Sequence, residues 1–506
     1  MRGYSRKRPF LLSCLAAALL VSAFPHLHWH WLAWVGLVPL FWALEGASWR
    51  GAFWLSYSFG FLFYLGTIWW IGYVTVAGML LLVSYLALFY ALFGLFYRWT
   101  AGFAWWVRLL TVPAAYVVLE FVRDHALTGF GWAGLGHTQA AVPSLLYLCG
   151  WTGVAGIAFL VVFGNMVAQG WLEYFRRREG PGLPLIAATV WLGLAFTIGA
   201  WQPGLSAARL KAERPLTTLA LVQPNVSLGE MWTASSKPGV VHKLLEMSLS
   251  ALEAKPDLII WPETSFPHFY WDLPELFDEV KAFAREHRVS LLVGAVTRQG
   301  ESYYNSALLI SPEGEVGPVY SKRHLVLFGE YVPFRKEFPF LASLVPIDDF
   351  TPGGEDVIFS LPNGAHFSVL ICFEDTIAGL ARRDAAKGAD FLVNMTNDSW
   401  FRDSGQQRMH LENALFRAAE NGRPLVRSTN TGESCAVADD GRVGTCIADA
   451  GGKRVLVEGV KVVRLAGSGK LSFYTKYGDV FTLLCCIGIL SFVIGWAWIS
   501  VRRRKK

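Results

Sequence analysis

The first 200 residues alternate long apolar runs with short polar breaks. Runs lie near 10–25, 31–46, 52–72, 76–98, 104–122, 155–175 and 183–201, and one more lies near the end of the chain at 480–500. A helix needs about 20 mostly apolar residues to cross a bilayer. The pattern therefore predicts a multi-pass α-helical membrane domain of about eight spans. The first two runs are short and are expected to tilt or to lie as half-helices. Residues 202–478 read differently. Short apolar runs recur there: "LTTLALVQP", "DLIIWPE", "VSLLVGAVT", "SALLIS", "HFSVLICFE" and "DFLVNMTN". Amphipathic stretches at 236–254, 273–287 and 406–421 lie between several of them. Strands apolar on both faces, alternating with helices, imply a sheet covered by helices. "SPEGE" and "ADDGR" mark hairpin turns. The expected domains are 1–201 (seven spans), 202–478 (α/β) and 479–506 (eighth span and basic tail), with the first boundary near "GAWQPGLS".

Composition agrees with the membrane reading. Of 506 residues, 53% are hydrophobic and 17% charged, too apolar for a single soluble domain. A net charge of +6 raises the question of nucleic acid. Its location argues against that, because Arg6-Lys7-Arg8, Arg176-Arg177-Arg178 and Arg502 to Lys506 flank apolar runs, as cytoplasmic membrane flanks do. With eight spans, these clusters, Arg50 and Arg98 all fall on one side. Arg123 is the exception on the far side. Both termini are then cytoplasmic and 202–478 lies outside. A cleavable signal peptide is the alternative reading of residues 1–23, which have a basic start, an apolar core and "VSA".

Three stretches of the outer region end an apolar strand on a reactive residue: "LIIWPET" with Glu263, "PVYSKRHLVLFGEYVP" with Lys322 and Glu330, and "VLICFED" with Cys372. Open α/β sheets gather sites at strand ends. A glutamate can take a thiol proton. A lysine favours thiolate and, with the backbone N–H after the cysteine, can stabilise an oxyanion. Such a cation is needed, because Glu374 and Asp375 follow Cys372 and like charge resists a thiolate. Taken singly, each residue also has an ordinary reading: a buried structural cysteine, a glutamate beside a helix cap, a solvated lysine.

The order Glu, Lys, Cys resembles the nitrilase superfamily, which implies an α-β-β-α sandwich. The wider match resembles the apolipoprotein N-acyltransferase family. It rests on "WPET", "YSKRHLVLFGEYVPF", "ICFED", "NMTNDSWF" and "RAAENGRPLVRSTNTG", with "SFGFLFYLGTIWWIGY" and "EFVRDHALTGFGWAGLGHTQ" in the membrane part. The resemblance implies Glu263 as general base, Lys322 as transition-state cation and Cys372 as nucleophile. It also implies Glu330 as a second essential glutamate, Trp232 in substrate binding and Glu374 as a further important acid. Phe373 stands where the family commonly has tyrosine, and Gly131 where it usually has proline. The implied reaction passes a phospholipid acyl chain through a cysteine thioester to the α-amine of a diacylglyceryl-cysteine on an apolipoprotein. The implied setting is the bacterial inner membrane, with the catalytic domain periplasmic. The partners are lipid, apolipoprotein and bilayer, with no nucleic acid and no cofactor. The alternatives are a membrane-bound amidase with the same triad and a transporter with a solute-capturing outer domain. Few intramembrane charges, Glu120 among them, argue against the transporter.

Three side features remain. His26, His28 and His30 in "HLHWHW" read as an interfacial loop rather than a metal site. No zinc-type cysteine spacing occurs. Cys435 and Cys446 sit opposite each other if Asp440-Gly441 is a two-residue turn, and separate if the turn is longer. Residues 328–350 read either as a membrane-dipping lid or as a packed surface loop.

Overall fold

The computed structural model describes residues 7–177, 182–201, 216–227, 229–230, 237–267, 269, 271–332, 335, 337, 349–467 and 471–504. It divides into a helical unit, Met1–Gly204 with Tyr477–Lys506, and an α/β unit, Leu205–Lys476.

The helical unit contains α1 (Lys7–Ser22), α2 (Val38–Leu44), α3 (Trp49–Ile68), α4 (Val76–Thr100), α5 (Trp105–His125), α6 (Pro143–Thr152), α7 (Val154–Arg177), α8 (Leu183–Trp201) and a C-terminal helix, Val480–Arg504. Among the described residues, five helical segments are long and apolar enough to cross a membrane: Trp49–Tyr73, Val76–Thr100, Trp105–His125, Val154–Arg176 and Val480–Arg502. Leu183–Gly199 and His30–Leu44 are shorter apolar helices, and α1 has 16 residues. The second apolar run is broken, as its shortness predicted: a 3-10 turn at His30–Trp34 precedes α2. The break is satisfied from α7, where Asn165 donates to Ala33 O (2.7 Å) and accepts from Leu37 N (2.8 Å). An apolar surrounding tolerates irregular backbone only with such partners. Ser48 and Thr75 cap α3 and α4 by accepting from Gly51 N and Gly78 N. Small residues bring these two helices close: a Cβ on Gly94 would collide with Ser56.

Among the described residues, the α/β unit holds twelve strands: β1 (Leu216–Gln223), β2 (Leu258–Ile260), β3 (Ser290–Gln299), β4 (Ser302–Ile310), β5 (Val316–Ser321), β6 (Phe359–Ser360), β7 (His366–Ile371), β8 (Phe391–Thr396), β9 (Leu425–Thr429), β10 (Cys435–Val437), β11 (Val443–Cys446) and β12 (Gly459–Ala466). They form two six-stranded sheets, β12-β1-β2-β3-β4-β5 and β11-β10-β9-β8-β7-β6. Each has a parallel centre, β1-β2-β3 in one and β7-β8-β9 in the other, with antiparallel edges.

Strand alternation assigns the two faces. In β1, Leu219 and Leu221 enter a core shared with Phe367, Val369, Ile371 and Val393 of the facing sheet. Ala220 and Val222 face the other way, into a core with α9 (Lys237–Leu249) and α10 (Pro274–His287). On the outer face of the second sheet lie α11 (Ala378–Ala386) and α12 (Gln406–Asn421). The result is the expected α-β-β-α sandwich.

Cys435 and Cys446 form a disulfide. Near the turn the register pairs Val437 with Val443. A bulge then restores Cys435 opposite Cys446, so the longer turn does not separate them.

Candidate active site

Glu263 follows β2 by three residues, Lys322 follows β5 directly, and Cys372 follows β7 directly. Their side chains meet in a buried cluster, with Lys322 only 1% exposed. Lys322 Nζ lies 2.9 Å from Glu330 Oε1 and 3.4 Å from Glu263 Oε1. Burial works against the ammonium, but the carboxylates of Glu330 and Glu263, and then Cys372, outweigh it and hold Lys322 well above the ordinary lysine range. The lysine is a fixed cation.

Both carboxylates are oriented by further donors. Asn305 Nδ2 donates to Glu263 Oε1 (2.8 Å) and to Glu330 Oε1 (2.9 Å). Asn397 N donates to Glu263 Oε2 (2.9 Å), and Val326 N to Glu330 Oε2 (2.8 Å). Gly294 makes room for the Glu263 turn. A Cβ there would collide with Pro262 O and approach Glu263 Cα to 2.9 Å.

Cys372 is half-buried and has φ +55°, a region that costs a non-glycine residue about 1–3 kcal/mol. Its partners hold it there. Asn394 Nδ2 donates to Cys372 O (2.9 Å) and Leu370 O (3.2 Å), and Thr396 Oγ1 donates to Asn394 Oδ1 (2.7 Å). Burial pushes the thiol well above its usual range. Glu263, Asp398 and Glu330 push the same way, and Lys322 opposes them. Sequence neighbours were expected to be the opposing acids. Instead, Glu374 and Asp375 are engaged elsewhere, and the acids that act most strongly come from distant loops.

Glu374 is a brace. Oε2 accepts from Ile371 N (2.7 Å) and Tyr320 OH (2.7 Å), while Oε1 accepts from Arg323 N (2.8 Å) and His324 N (3.1 Å). It therefore fixes the lysine loop against the cysteine turn. Burial raises its pKa, and the Ile371 and Tyr320 hydrogen bonds oppose that shift. Phe373 packs edge-to-face on His324, with ring centroids 5.4 Å apart, and its ring lies 5.5 Å from Lys322 Nζ. The ring's packing role survives without the hydroxyl.

Trp232 lies outside the described residues, as does most of 338–350 in the suspected lid. Described parts of that loop are anchored: Phe350 N donates to Glu330 O (2.8 Å) and Val332 N to Asp349 Oδ1 (2.9 Å). Among the described residues no cluster of three or more His, Cys, Asp or Glu could hold a metal ion. Glu120 is paired within its unit. It accepts from Tyr116 OH (3.2 Å) and Leu135 N (3.2 Å) and lies 3.6 Å from Arg123 Nη2.

Asn305, Asn394 and His410 carry no role in the sequence reading. Asn394 opens "NMTNDSWF", a motif recognised without a role for that residue. Asn305 acts on Glu263 across 42 positions of chain, which pattern alone does not reveal.

Two family descriptions match the chain: carbon–nitrogen hydrolase over residues 218–464, and apolipoprotein N-acyltransferase N-terminal domain over residues 16–167. An apolipoprotein N-acyltransferase of Geobacter metallireducens is 34% identical over 500 residues, covering 95% of this chain and 94% of the relative. This chain belongs to the apolipoprotein N-acyltransferase family. A second member, from Methylococcus capsulatus, is 32% identical over 75% of this chain and 72% of its own length. Among solved structures, an amidase of the nitrilase superfamily from Nesterenkonia AN1 aligns with 51% of this chain and 93% of its own, at 19% identity and a TM-score of 0.39. The N-acyltransferase N-terminal match falls within the helical unit and the carbon–nitrogen hydrolase match within the α/β unit.

Proposed function

We infer that this protein is a phospholipid-to-apolipoprotein N-acyltransferase working through an acyl-cysteine. In the first step the Cys372 sulfur attacks the carbonyl of a phospholipid ester, and Glu263 takes the thiol proton. The C–O bond breaks, and Glu263 returns the proton to the departing lysophospholipid hydroxyl. In the second step the α-amine of a diacylglyceryl-cysteine attacks the thioester. The C–S bond breaks, and Glu263 takes a proton from the new ammonium and returns it to the departing Cys372 thiolate. Lys322 and the Phe373 N–H stabilise the oxyanion in both steps. Glu330 keeps Lys322 charged and aimed, and Glu374 fixes the lysine loop. Trp232 and Phe373 contribute to substrate binding.

The observation that carries this reading is the convergence of Glu263, Lys322, Glu330 and Cys372. The family match across nearly the whole chain supplies the context. An amidase shares the thiol chemistry but leaves the matched N-terminal domain without a purpose. Phosphatidylethanolamine is the proposed donor. The proposed setting is a bacterial inner membrane with about eight crossings, both termini cytoplasmic, 202–478 periplasmic and 479–506 forming the last crossing and tail. The Cys435–Cys446 disulfide supports an oxidising compartment for the α/β unit. Protease added to intact spheroplasts should cut 202–478; cleavage only after lysis would reverse the topology.

The activity test uses the full-length protein in phosphatidylethanolamine vesicles with a synthetic diacylglyceryl-cysteine peptide. The peptide should gain one acyl chain on its α-amine, and an N-acetylated peptide should gain none. Release of free fatty acid with the peptide unchanged would point to a hydrolase instead.

A further inference from the structure

A second buried charge cluster sits behind the nucleophile. His410, on α12, lies between two carboxylates: Nδ1 is 2.9 Å from Asp398 Oδ1, and Nε2 is 3.1 Å from Asp375 Oδ1. Arg427, on β9, donates to Asp375 Oδ2 (2.7 Å) and lies 3.6 Å from Asp398 Oδ2. Gln406 Nε2 donates to Asp398 Oδ1 (3.0 Å), and Arg417 reaches Asp375 O (3.4 Å) while pairing with Glu420 (2.7 Å). His410, Asp375, Asp398 and Arg427 are each fully buried. Gly432 admits the cluster, since a Cβ there would collide with Asp398.

The two carboxylates belong to the catalytic loops. Asp375 is three residues after Cys372, in the turn that holds the sulfur. Asp398 follows Asn397, whose N–H holds Glu263, and its charge is among those that raise the thiol. An imidazole with a carboxylate on each nitrogen is best satisfied when both nitrogens donate. The charges agree. Burial would neutralise His410, but Asp375 and Asp398 raise it from 6.5 to about 9. Asp398 is held below the carboxylate range by His410 and Arg427 despite its burial.

We propose that His410 is a positioning residue for acyl transfer: as a buried imidazolium it ties the Asp375 turn of the nucleophile to the Asp398 loop of the base, and it offsets the Asp398 charge at the Cys372 sulfur. The proposal rests on Cys372 as nucleophile and assigns His410 no contact with substrate. The charges facing the sulfur are Lys322 on one side and Glu263, Glu330 and Asp398 on the other. With His410 uncharged, Asp398 acts on the thiol with only Arg427 opposing it.

The test is alkylation of Cys372 by iodoacetamide across pH, in full-length protein in nanodiscs, read on the Cys372 peptide by mass. In His410→Gln the inflection should move up by about one pH unit, an approximately tenfold slower reaction at pH 8. Adding Asp398→Asn should return it toward the starting profile. A purely structural His410 predicts fewer folded molecules with an unchanged profile, and that result overturns the proposal. If His410→Gln does not fold, Asp398→Asn alone should lower the inflection, and an unchanged or raised value overturns it equally. Failure of the nucleophile reading shows separately, as acyl transfer persisting in Cys372→Ala.

Discussion

Two buried charge clusters flank Cys372, and they differ in balance. Around His410, two cations face two carboxylates, Asp375 and Asp398. Around Lys322, one cation faces two carboxylates, Glu263 and Glu330. The first cluster is neutral and can persist unchanged. The second carries surplus negative charge beside the thiol. Burial, with Glu263, Asp398 and Glu330 adding to it, holds the Cys372 thiol well above its usual range, and a protonated thiol is less open to oxidation, since susceptibility follows thiolate character. The balanced cluster ties two loops together, and the unbalanced one places two carboxylates and one cation beside the thiol.

Breaking the unbalanced cluster should have the largest effect. Lys322→Met removes the proposed oxyanion cation and should lower kcat at least about 10²–10³-fold, measured as acyl transfer to peptide. It also leaves two carboxylates without their cation, and a broken buried pair costs about 3–5 kcal/mol. Melting curves should show that loss. Lys322→Arg should not restore activity, because the guanidinium is larger and planar.

Displacing the proposed base, Glu263, without removing it comes next. Gly294→Ala pushes on the Glu263 backbone and should cost roughly 10²-fold in kcat, since a misplacement of about 1 Å has that effect. Normal turnover in a folded variant would show that this close approach does not hold the base.

The balanced cluster should reveal itself through pH. The His410 pKa is raised above its unfolded value. Its contribution to stability is therefore complete below about 6.5 and is lost as pH rises through about 9. Denaturant melts should show stability falling across that window, and His410→Gln should flatten the slope. The smallest effect is expected from Phe373→Tyr. The ring contacts to His324 and Lys322 are already present, so kcat should change less than about threefold, in keeping with the small effects of changes that leave packing intact.

The apolar pattern located the long helices because length and hydropathy are properties of a segment alone. It missed α6, whose ten residues fall below that scale. Of the strands, the six apolar runs named from sequence correspond to β1, β2, β3, β4, β7 and β8. The first four residues of β5 are exposed, and an exposed edge strand carries no apolar signature. Among the amphipathic helices, 406–421 coincides with α12. Cys372, Lys322 and Glu263 were legible as candidates at strand ends, and Glu330 in the loop after β5. Their partners were not. Asn394 holds the cysteine turn from a different strand, and Glu374 was named as a like-charge neighbour of Cys372 and, through the resemblance, as an important acid, without the four donors it accepts from. A side chain's direction depends on the tertiary fold, which sequence spacing does not specify.

The most direct measurement is the intact mass of the full-length protein after incubation with phosphatidylethanolamine, beside Cys372→Ala. The protein should gain one fatty acyl chain, removed by neutral hydroxylamine and absent from the variant. A folded protein with a free thiol and no adduct, or an equal adduct in Cys372→Ala, would contradict the acyl-cysteine route.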